Sequence, residues 1–290
     1  MNTNILQFRV LGNPIAHSLS PYIHQYFSKI SNIKINYEKI LINTEEDFFE
    51  RYIDNFFSIQ NNIGLNITLP FKERAFKLAN QYSEAAFYAK ASNTLYLKNG
   101  KIFADNTDGY GLVHDITKHH NIQLKDKNIL LLGAGGASRG AMYNLIQELP
   151  KSISIANRSL VKAKILAQDA QEYNNKSSKS LISCCTLDDL KIENYNFIKF
   201  DIIINATSIG MDNQNYNFII NDSCIHNATF AYDMIYNKHS PFLEWAKSLK
   251  LNYADGIGML IQQAAYAFKV WNNCDSLPNT QELYNMLKIY

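Results

Sequence analysis

Lys72 and Asp108 are the residues of this sequence best placed to move a proton. Lys72 closes the segment Asn66-Ile67-Thr68-Leu69-Pro70-Phe71-Lys72, and Asp108 lies in Asp105-Asn106-Thr107-Asp108-Gly109. Each segment follows an apolar run, which puts both residues at strand ends or loops, where functional side chains gather. A lysine beside a carboxylate in a partly desolvated cleft is a proton-transfer pair, because the carboxylate orients the ammonium and tunes it. A third polar segment, Gly12-Asn13-Pro14-Ile15-Ala16-His17-Ser18-Leu19-Ser20-Pro21, carries two hydroxyls, Ser18 and Ser20, suited to a carboxylate. Ser20-Pro21 also reads as a helix N-cap with proline at the first helical position.

A different chemistry belongs to Asn128-Ile-Leu-Leu-Leu-Gly133-Ala134-Gly135-Gly136-Ala137-Ser138-Arg139-Gly140-Ala141. Its glycines lie between an apolar strand and an amphipathic helix. A dinucleotide pyrophosphate needs a turn free of Cβ atoms and the unpaired N–H groups of a helix N-terminus, and Gly133, Gly135 and Gly136 meet both needs. Ser138 stands where a third glycine is usual. The next strand ends Ile155-Ala156-Asn157-Arg158-Ser159, without the acidic residue that binds a ribose 2′-hydroxyl. A guanidinium suits a 2′-phosphate, so Arg158 predicts NADP, with Lys162 as a second cation and Asn157 and Ser159 as hydrogen-bonding neighbours.

These groups need a scaffold of short buried strands alternating with helices, an α/β architecture. The first third offers strands at Gln7–Leu11, Ile33–Leu41 and Gly64–Thr68, helices from Pro21 and from Glu45, and a hairpin of Asn93–Leu97 with Lys101–Ala104 around Asn99-Gly100. After Asp108 comes a helix over Gly109–His120, then the series Asn128–Leu132, Ala137–Glu148, Ser152–Ala156 and Leu160–Glu172. The polar stretch Gln171–Lys179 reads as a loop. Asp201–Asn205 and Thr229–Asp233 are further strands, Pro241–Leu249 is a helix, and Gly256–Trp271 is an apolar helix that must pack on something. The 290 residues exceed what one core usually serves. The expected organisation is an N-terminal α/β substrate domain over residues 1–107, a Rossmann-type NADP-binding domain over 108–255, and a C-terminal segment, 256–290, packing back on the first, with the active site in the cleft between the domains.

Lys plus Arg number 28 against 26 Asp plus Glu, for a net charge of +2. Without a basic cluster this argues against nucleic acid as a partner and for small molecules. The start of the chain lacks signal-peptide features, no apolar run spans a bilayer, and Cys184, Cys185, Cys224 and Cys274 form neither a zinc pattern nor a disulfide framework. The expectation is a cytoplasmic protein with no membrane segment, no bound metal and reduced thiols. A homodimer is the candidate assembly. Only five arginines occur, and two of them, Arg139 and Arg158, fall in the nucleotide-binding segments.

Taken together, GNPIAHSLSP, NITLPFK, SNTLYLKNGKIFADNTDGYGL, GAGGASRGA, NRS, INATSIGM, YDMIYNKHSPFL and DGIGMLIQQAAYAFKVW resemble the shikimate dehydrogenase family, in order and over almost the whole chain. The resemblance implies reversible NADPH-dependent reduction of 3-dehydroshikimate to shikimate in the pathway to chorismate and the aromatic amino acids. It implies that Ser18 and Ser20, helped by Tyr236, bind the substrate carboxylate. Thr68, Lys72, Asn93, Asp108 and Gln263 would contact the ring hydroxyls and ketone, with Lys72 and Asp108 as the catalytic pair. Gly133, Ala134, Gly135, Gly136, Ala137, Asn157, Arg158, Ser159, Lys162, Thr207 and Ser208 would hold the cofactor, and Met234 and Gly256 would border the nicotinamide. Departures are His24-Gln25 where His-Asn is usual, Ile209 for a small residue and Lys162 for an arginine. None removes a catalytic group.

Overall fold

In the computed structural model, which describes residues 5–44, 47–177, 179–192, 198–207, 220–226, 229–236 and 240–287, the apolar runs become the strands of two six-stranded sheets. The described residues divide into two units, 5–111 with 260–287, and 112–259.

The first unit opens with strand β1 (Leu6–Gly12), helix α1 (Ser20–Ser31) and strand β2 (Ile35–Leu41), then helix α2 (Phe48–Phe57) and strand β3 (Asn62–Ile67). Helix α3 (Lys72–Leu78), strand β4 (Gln81–Tyr82), helix α4 (Glu84–Ala89), strands β5 (Thr94–Lys98) and β6 (Lys101–Asp105) and helix α5 (Asp108–His114) follow. The sheet order is β2-β1-β3-β5-β6-β4. β1 pairs in parallel with both β2 and β3, while β5 runs antiparallel to β3 and to β6. Asn99 and Gly100, both at positive φ, close the β5–β6 hairpin as a two-residue turn. Strand order reverses at β1, so the carboxyl ends of β1 and β3 lie side by side and release the two polar segments 12–21 and 68–72 at one place. Open α/β sheets put ligands at such a switch point. Leu11, Ile53, Leu65, Phe71 and Leu95 fill the core beneath it.

α1 differs in detail from the capping expectation. The cap position is Leu19, with no side-chain cap, and Ser20 is the first helical residue with Pro21 in the first turn. Ser20 does not serve as the cap because its hydroxyl faces Ser18: Ser18 Oγ donates to Ser20 Oγ at 3.2 Å and accepts the Ser20 N–H at 3.3 Å.

The second unit contains strand β7 (Asn128–Leu132), helix α6 (Gly136–Gln147), strand β8 (Ser152–Asn157), helix α7 (Leu160–Ser177) and strands β9 (Leu181–Thr186), β10 (Ile202–Asn205) and β11 (Phe230–Asp233). Helix α8 (Pro241–Ser248) and strand β12 (Asn252–Ala254) complete its sheet, whose order is β12-β11-β10-β7-β8-β9. Every pairing is parallel. This is the doubly wound order with its switch point between β7 and β10. A π turn over Asp115–His119 continues α5. The expected loop from Gln171 is instead the last two turns of α7. Tyr173 is buried there, 5.8 Å from the Tyr143 ring, and buried Asn174 donates to the Ser180 carbonyl at 2.8 Å. Tertiary burial of these two residues outweighs the weak helix propensity of the stretch.

Helix α9 (Ile257–Trp271) begins at the end of the second unit and continues in the first, where helix α10 (Gln281–Leu287) follows. Its last residue, Trp271, stacks on Phe8 of β1 at 5.0 Å.

Candidate active site

The first unit brings Lys72 and Asp108 together. Thr68 to Phe71 turn the chain from β3 into α3, whose first residue is Lys72, and β6 runs through Asn106 and Thr107 into Asp108 at the start of α5. Lys72 Nζ lies 2.6 Å from Asp108 Oδ2, with the two side chains 20% and 10% exposed. The lysine backbone is tied to the same region, its carbonyl accepting the Ser92 N–H at 2.9 Å. Asn93 Nδ2 donates to the other carboxylate oxygen at 2.8 Å, and Asn106 Oδ1 accepts the Asp108 N–H at 3.2 Å. Asn93 also donates to Thr107 Oγ1 at 2.9 Å and takes the Thr107 N–H on its own Oδ1 at 2.8 Å. Gln263 of α9 joins this group, its Oε1 at 3.3 Å from Thr107 Oγ1 and 3.4 Å from Asn93 Nδ2. Lysine, carboxylate and amides are therefore held rigidly, with most lone pairs and protons assigned. Only one of the three ammonium protons is needed for Asp108, which leaves donors for a ligand.

Ser18 and Ser20 lie beyond the end of β1, and Thr68 beyond the end of β3. The Thr68 N–H donates to Leu11 O at 2.9 Å, and its hydroxyl makes no hydrogen bond among the described residues. Sequence reasoning missed the groups behind these residues. Asn66, from the segment that ends in Lys72, donates to Asn93 O at 3.1 Å and to Thr94 Oγ1 at 3.2 Å, and its Oδ1 accepts the Tyr37 phenol at 2.7 Å. Tyr37 gave no polar signal, since a tyrosine two residues after Ile35 in an alternating strand reads as core. Asn66, Asn106 and Thr107 lay inside the polar segments already singled out.

Tyr236, Met234 and Gly256 belong to the second unit, after β11 and β12. Burial raises the Tyr236 phenol above its ordinary value. The Gly256 N–H donates to Ile235 O at 3.0 Å. Ser208 lies outside the described residues. Thr207 is described: its N–H and hydroxyl donate to Asn205 Oδ1 at 3.1 and 2.7 Å, and Asn205 in turn donates to Asp233 Oδ1 at 3.1 Å. The buried Asn205 and Asp233, also unforeseen, fix the chain leaving β10 and β11 at the carboxyl edge of the sheet.

The glycine loop fits a dinucleotide. Gly133 has φ +103°, a conformation that side chains rarely adopt, and open space lies beside Gly135 and Gly136 where Cβ atoms would otherwise stand. Ala134 and Ala137 flank them, and α6 starts at Gly136 without a side-chain cap, so its first N–H groups remain for a phosphate. Ser138 explains its own presence at the third glycine position: its hydroxyl turns back to Gly133 O at 2.9 Å, and the side chain is fully buried. Beyond β8, Asn157 donates to Ser159 O at 2.9 Å. Arg158 and Lys162 are exposed and make no ion pair among the described residues. Arg139, by contrast, is paired with Asp169 at 2.6 Å and braces α6 against α7.

Comparison with known proteins agrees with both halves of this arrangement. Residues 10–95 match the family described as "Shikimate dehydrogenase substrate binding domain", and residues 115–212 match "Shikimate / quinate 5-dehydrogenase". Shikimate dehydrogenase (NADP(+)) of Legionella pneumophila (strain Lens) is 40% identical, over 98% of this chain and 99% of its own length. The corresponding protein of Acinetobacter baumannii (strain SDF) is 42% identical, over 92% of this chain and 95% of its own. Among solved structures, shikimate 5-dehydrogenase of Thermus thermophilus in complex with NADP(H) and shikimate has a TM-score of 0.81 at 27% identity, covering 98% of this chain and 99% of that one. With relatives this similar over nearly the full length and both domains matched, the chain belongs to the shikimate dehydrogenase family.

Proposed function

We propose that the protein is an NADP-dependent shikimate dehydrogenase, reducing 3-dehydroshikimate to shikimate reversibly on the route to the aromatic amino acids. The observation that carries this reading is the Lys72–Asp108 pair, 2.6 Å apart and held by Asn93 at the ligand-binding edge of the first sheet. NADPH, when bound, supplies the hydride that adds to the ketone carbon. Gly133 to Ala137 would hold its pyrophosphate, and Arg158 with Lys162 its 2′-phosphate.

The protein residues do the rest. As the ketone oxygen gains negative charge, a Lys72 N–H points at it, stabilises it and gives it the proton that completes the alcohol. Asp108 keeps the ammonium in place and accepts a substrate hydroxyl proton as a hydrogen bond. Asn93, Thr68 and Gln263 bind the remaining ring hydroxyls, while Ser18 and Ser20 donate to the substrate carboxylate. The four cysteines are free thiols, which suits a reducing compartment, so we place the enzyme in the cytoplasm.

The test follows NADPH absorbance with purified protein, shikimate and NADP, then repeats it with quinate and with NAD. Turnover of shikimate with NADP, and much weaker turnover in the other arms, is expected. No turnover in the first arm overturns the reading.

A further inference from the structure

Gly12 ends β1 and Thr68 follows β3, and the parallel register that sets Leu11 beside Ile67 brings these two next to each other. The Thr68 methyl uses the space that a side chain at position 12 would need. A Cβ on Gly12 would overlap Thr68 Cγ2, and its next neighbours would be Ile15 Cδ1 at 3.1 Å and Leu69 O at 3.3 Å. Gly12 is not at positive φ, so the demand for glycine here is one of space, not of backbone conformation.

The two backbones are pinned on either side of this notch. The Thr68 N–H donates to Leu11 O at 2.9 Å, and the Thr68 carbonyl accepts the Phe71 N–H at 3.0 Å. The Asn13 N–H donates to Leu69 O at 2.9 Å, and Gly12 O accepts the Ile42 N–H at 3.2 Å. With the backbones fixed and the methyl lodged against Gly12, the tetrahedral Cβ leaves the hydroxyl a single direction. No polar bond sets that direction, because the Thr68 hydroxyl has no hydrogen-bond partner among the described residues.

We propose that Gly12 is a positioning residue for the Thr68 hydroxyl, its missing side chain being the notch that selects the threonine rotamer; this rests on the reading of Thr68 as a ligand for a substrate ring hydroxyl. A hydroxyl held in its binding direction before the ligand arrives loses no rotamer freedom on binding. A side chain at position 12 displaces the methyl and turns the hydroxyl away, although residue 12 itself gives the substrate no polar group.

The experiment compares the kinetics of wild type, Thr68→Val, Thr68→Ser, Gly12→Ala and the double variant Gly12→Ala/Thr68→Ser. Thr68→Val keeps the shape and removes the hydroxyl, and should raise the KM for shikimate about tenfold, the size of one lost hydrogen bond. Thr68→Ser keeps the hydroxyl but frees it among three staggered positions, which should cost about threefold. Gly12→Ala should match Thr68→Val, with the KM for NADP within about twofold of wild type. In the double variant the new methyl fills the space that the threonine gave up, so the KM for shikimate should return to the Thr68→Ser level. Shikimate analogues that each lack one ring hydroxyl separate this role from a general weakening of the fold: Gly12→Ala should lose its effect on the same analogue as Thr68→Val does. An unchanged shikimate KM in Gly12→Ala, no recovery in the double variant, or an effect of Gly12→Ala that persists on that analogue overturns the proposal. Where Gly12→Ala does not fold, the double variant decides, and its failure to fold or to recover the KM also overturns the proposal. If Thr68→Val leaves the KM for shikimate unchanged, it is the assignment of Thr68 that fails.

Discussion

Asn93 Nδ2 holds Asp108 Oδ1 at 2.8 Å, which leaves Oδ2 as the oxygen that meets Lys72 Nζ at 2.6 Å. The carboxylate has one oxygen for Asn93 and one for Lys72. In the proposed reaction, an ammonium fixed in this way would need no reorganisation when the alkoxide develops, which is how preorganised donors lower a barrier.

Replacing Lys72 would remove the proposed proton donor without disturbing the backbone bond to Ser92. Lys72→Ala is expected to lower kcat by about 10²- to 10⁴-fold, the usual contribution of a positioned acid or base, and to leave the KM for NADP unchanged. Asp108→Asn should cost nearly as much, because Asn93 then faces an amide and Lys72 loses its anion. The double variant should be little worse than either single one, since the two act as a unit. Steady-state rates for the three variants check this, and multiplicative losses would contradict it.

Arg158 is exposed beyond β8 and free of ion pairs among the described residues, so substitution there should leave folding intact. Arg158→Ala is expected to reduce kcat/KM for NADP roughly ten- to hundredfold, as one lost charge-assisted bond of about 1.5–3 kcal/mol implies, and to change kcat/KM for NAD by less than threefold. Kinetics with both cofactors provide the measurement. An unchanged ratio would remove Arg158 from the 2′-phosphate site.

Much of this was readable from residue order, and the exceptions have physical reasons. Lys72, Asp108 and Arg158 stand out because each lies in a short polar segment that follows an apolar run, and the strand ends beside them are evident from the same runs. The bond from Tyr37 to Asn66 was not readable, because it depends on the β2-β1-β3 order, which no local pattern encodes. Asn205 and Asp233 look like ordinary strand ends until the parallel pairing of β10 with β11 sets them side by side. Gln171–Ser177 reads as loop by composition and is helix because Tyr173 and Asn174 find buried partners across the fold.

Gly258 marks a close approach in the second unit. A Cβ there would lie 2.0 Å from Oδ1 of Asp115, a fully buried carboxylate whose Oδ2 accepts the buried Tyr232 phenol at 2.7 Å. Asp115 is held by that bond and by its place in the π turn, so it has little room to yield. Gly258→Ala is expected to destabilise by about 1–3 kcal/mol, the usual cost of overpacking, lowering Tm by roughly 2–12 °C for a unit of this size. Thermal unfolding reads the shift. An unchanged Tm would show that Asp115 moves aside freely.

His24 gives the stability a pH dependence that can be isolated. It is 0% exposed, stacked against both Tyr37 and Trp271, and burial lowers its pKa from 6.5 to about 3. Below pH 6.5 the unfolded chain binds a proton at this residue that the folded chain refuses. Its contribution is therefore complete above about pH 6.5 and is lost as the pH falls towards 3, with a slope approaching 1.4 kcal/mol per pH unit, about the value for one proton. Burial of His114 acts in the same direction. Asp105 and Asp233 act in the opposite one, since burial raises their pKa and the folded state takes up protons there before the unfolded state does. The difference between wild type and His24→Phe removes those common terms and keeps an aromatic ring in the stack. Urea unfolding of both proteins between pH 4 and 6, roughly the window where one-proton linkage is steepest, should show wild type losing stability relative to the variant as the pH falls. Parallel curves would mean that His24 takes up a proton in the folded protein as readily as in the unfolded one.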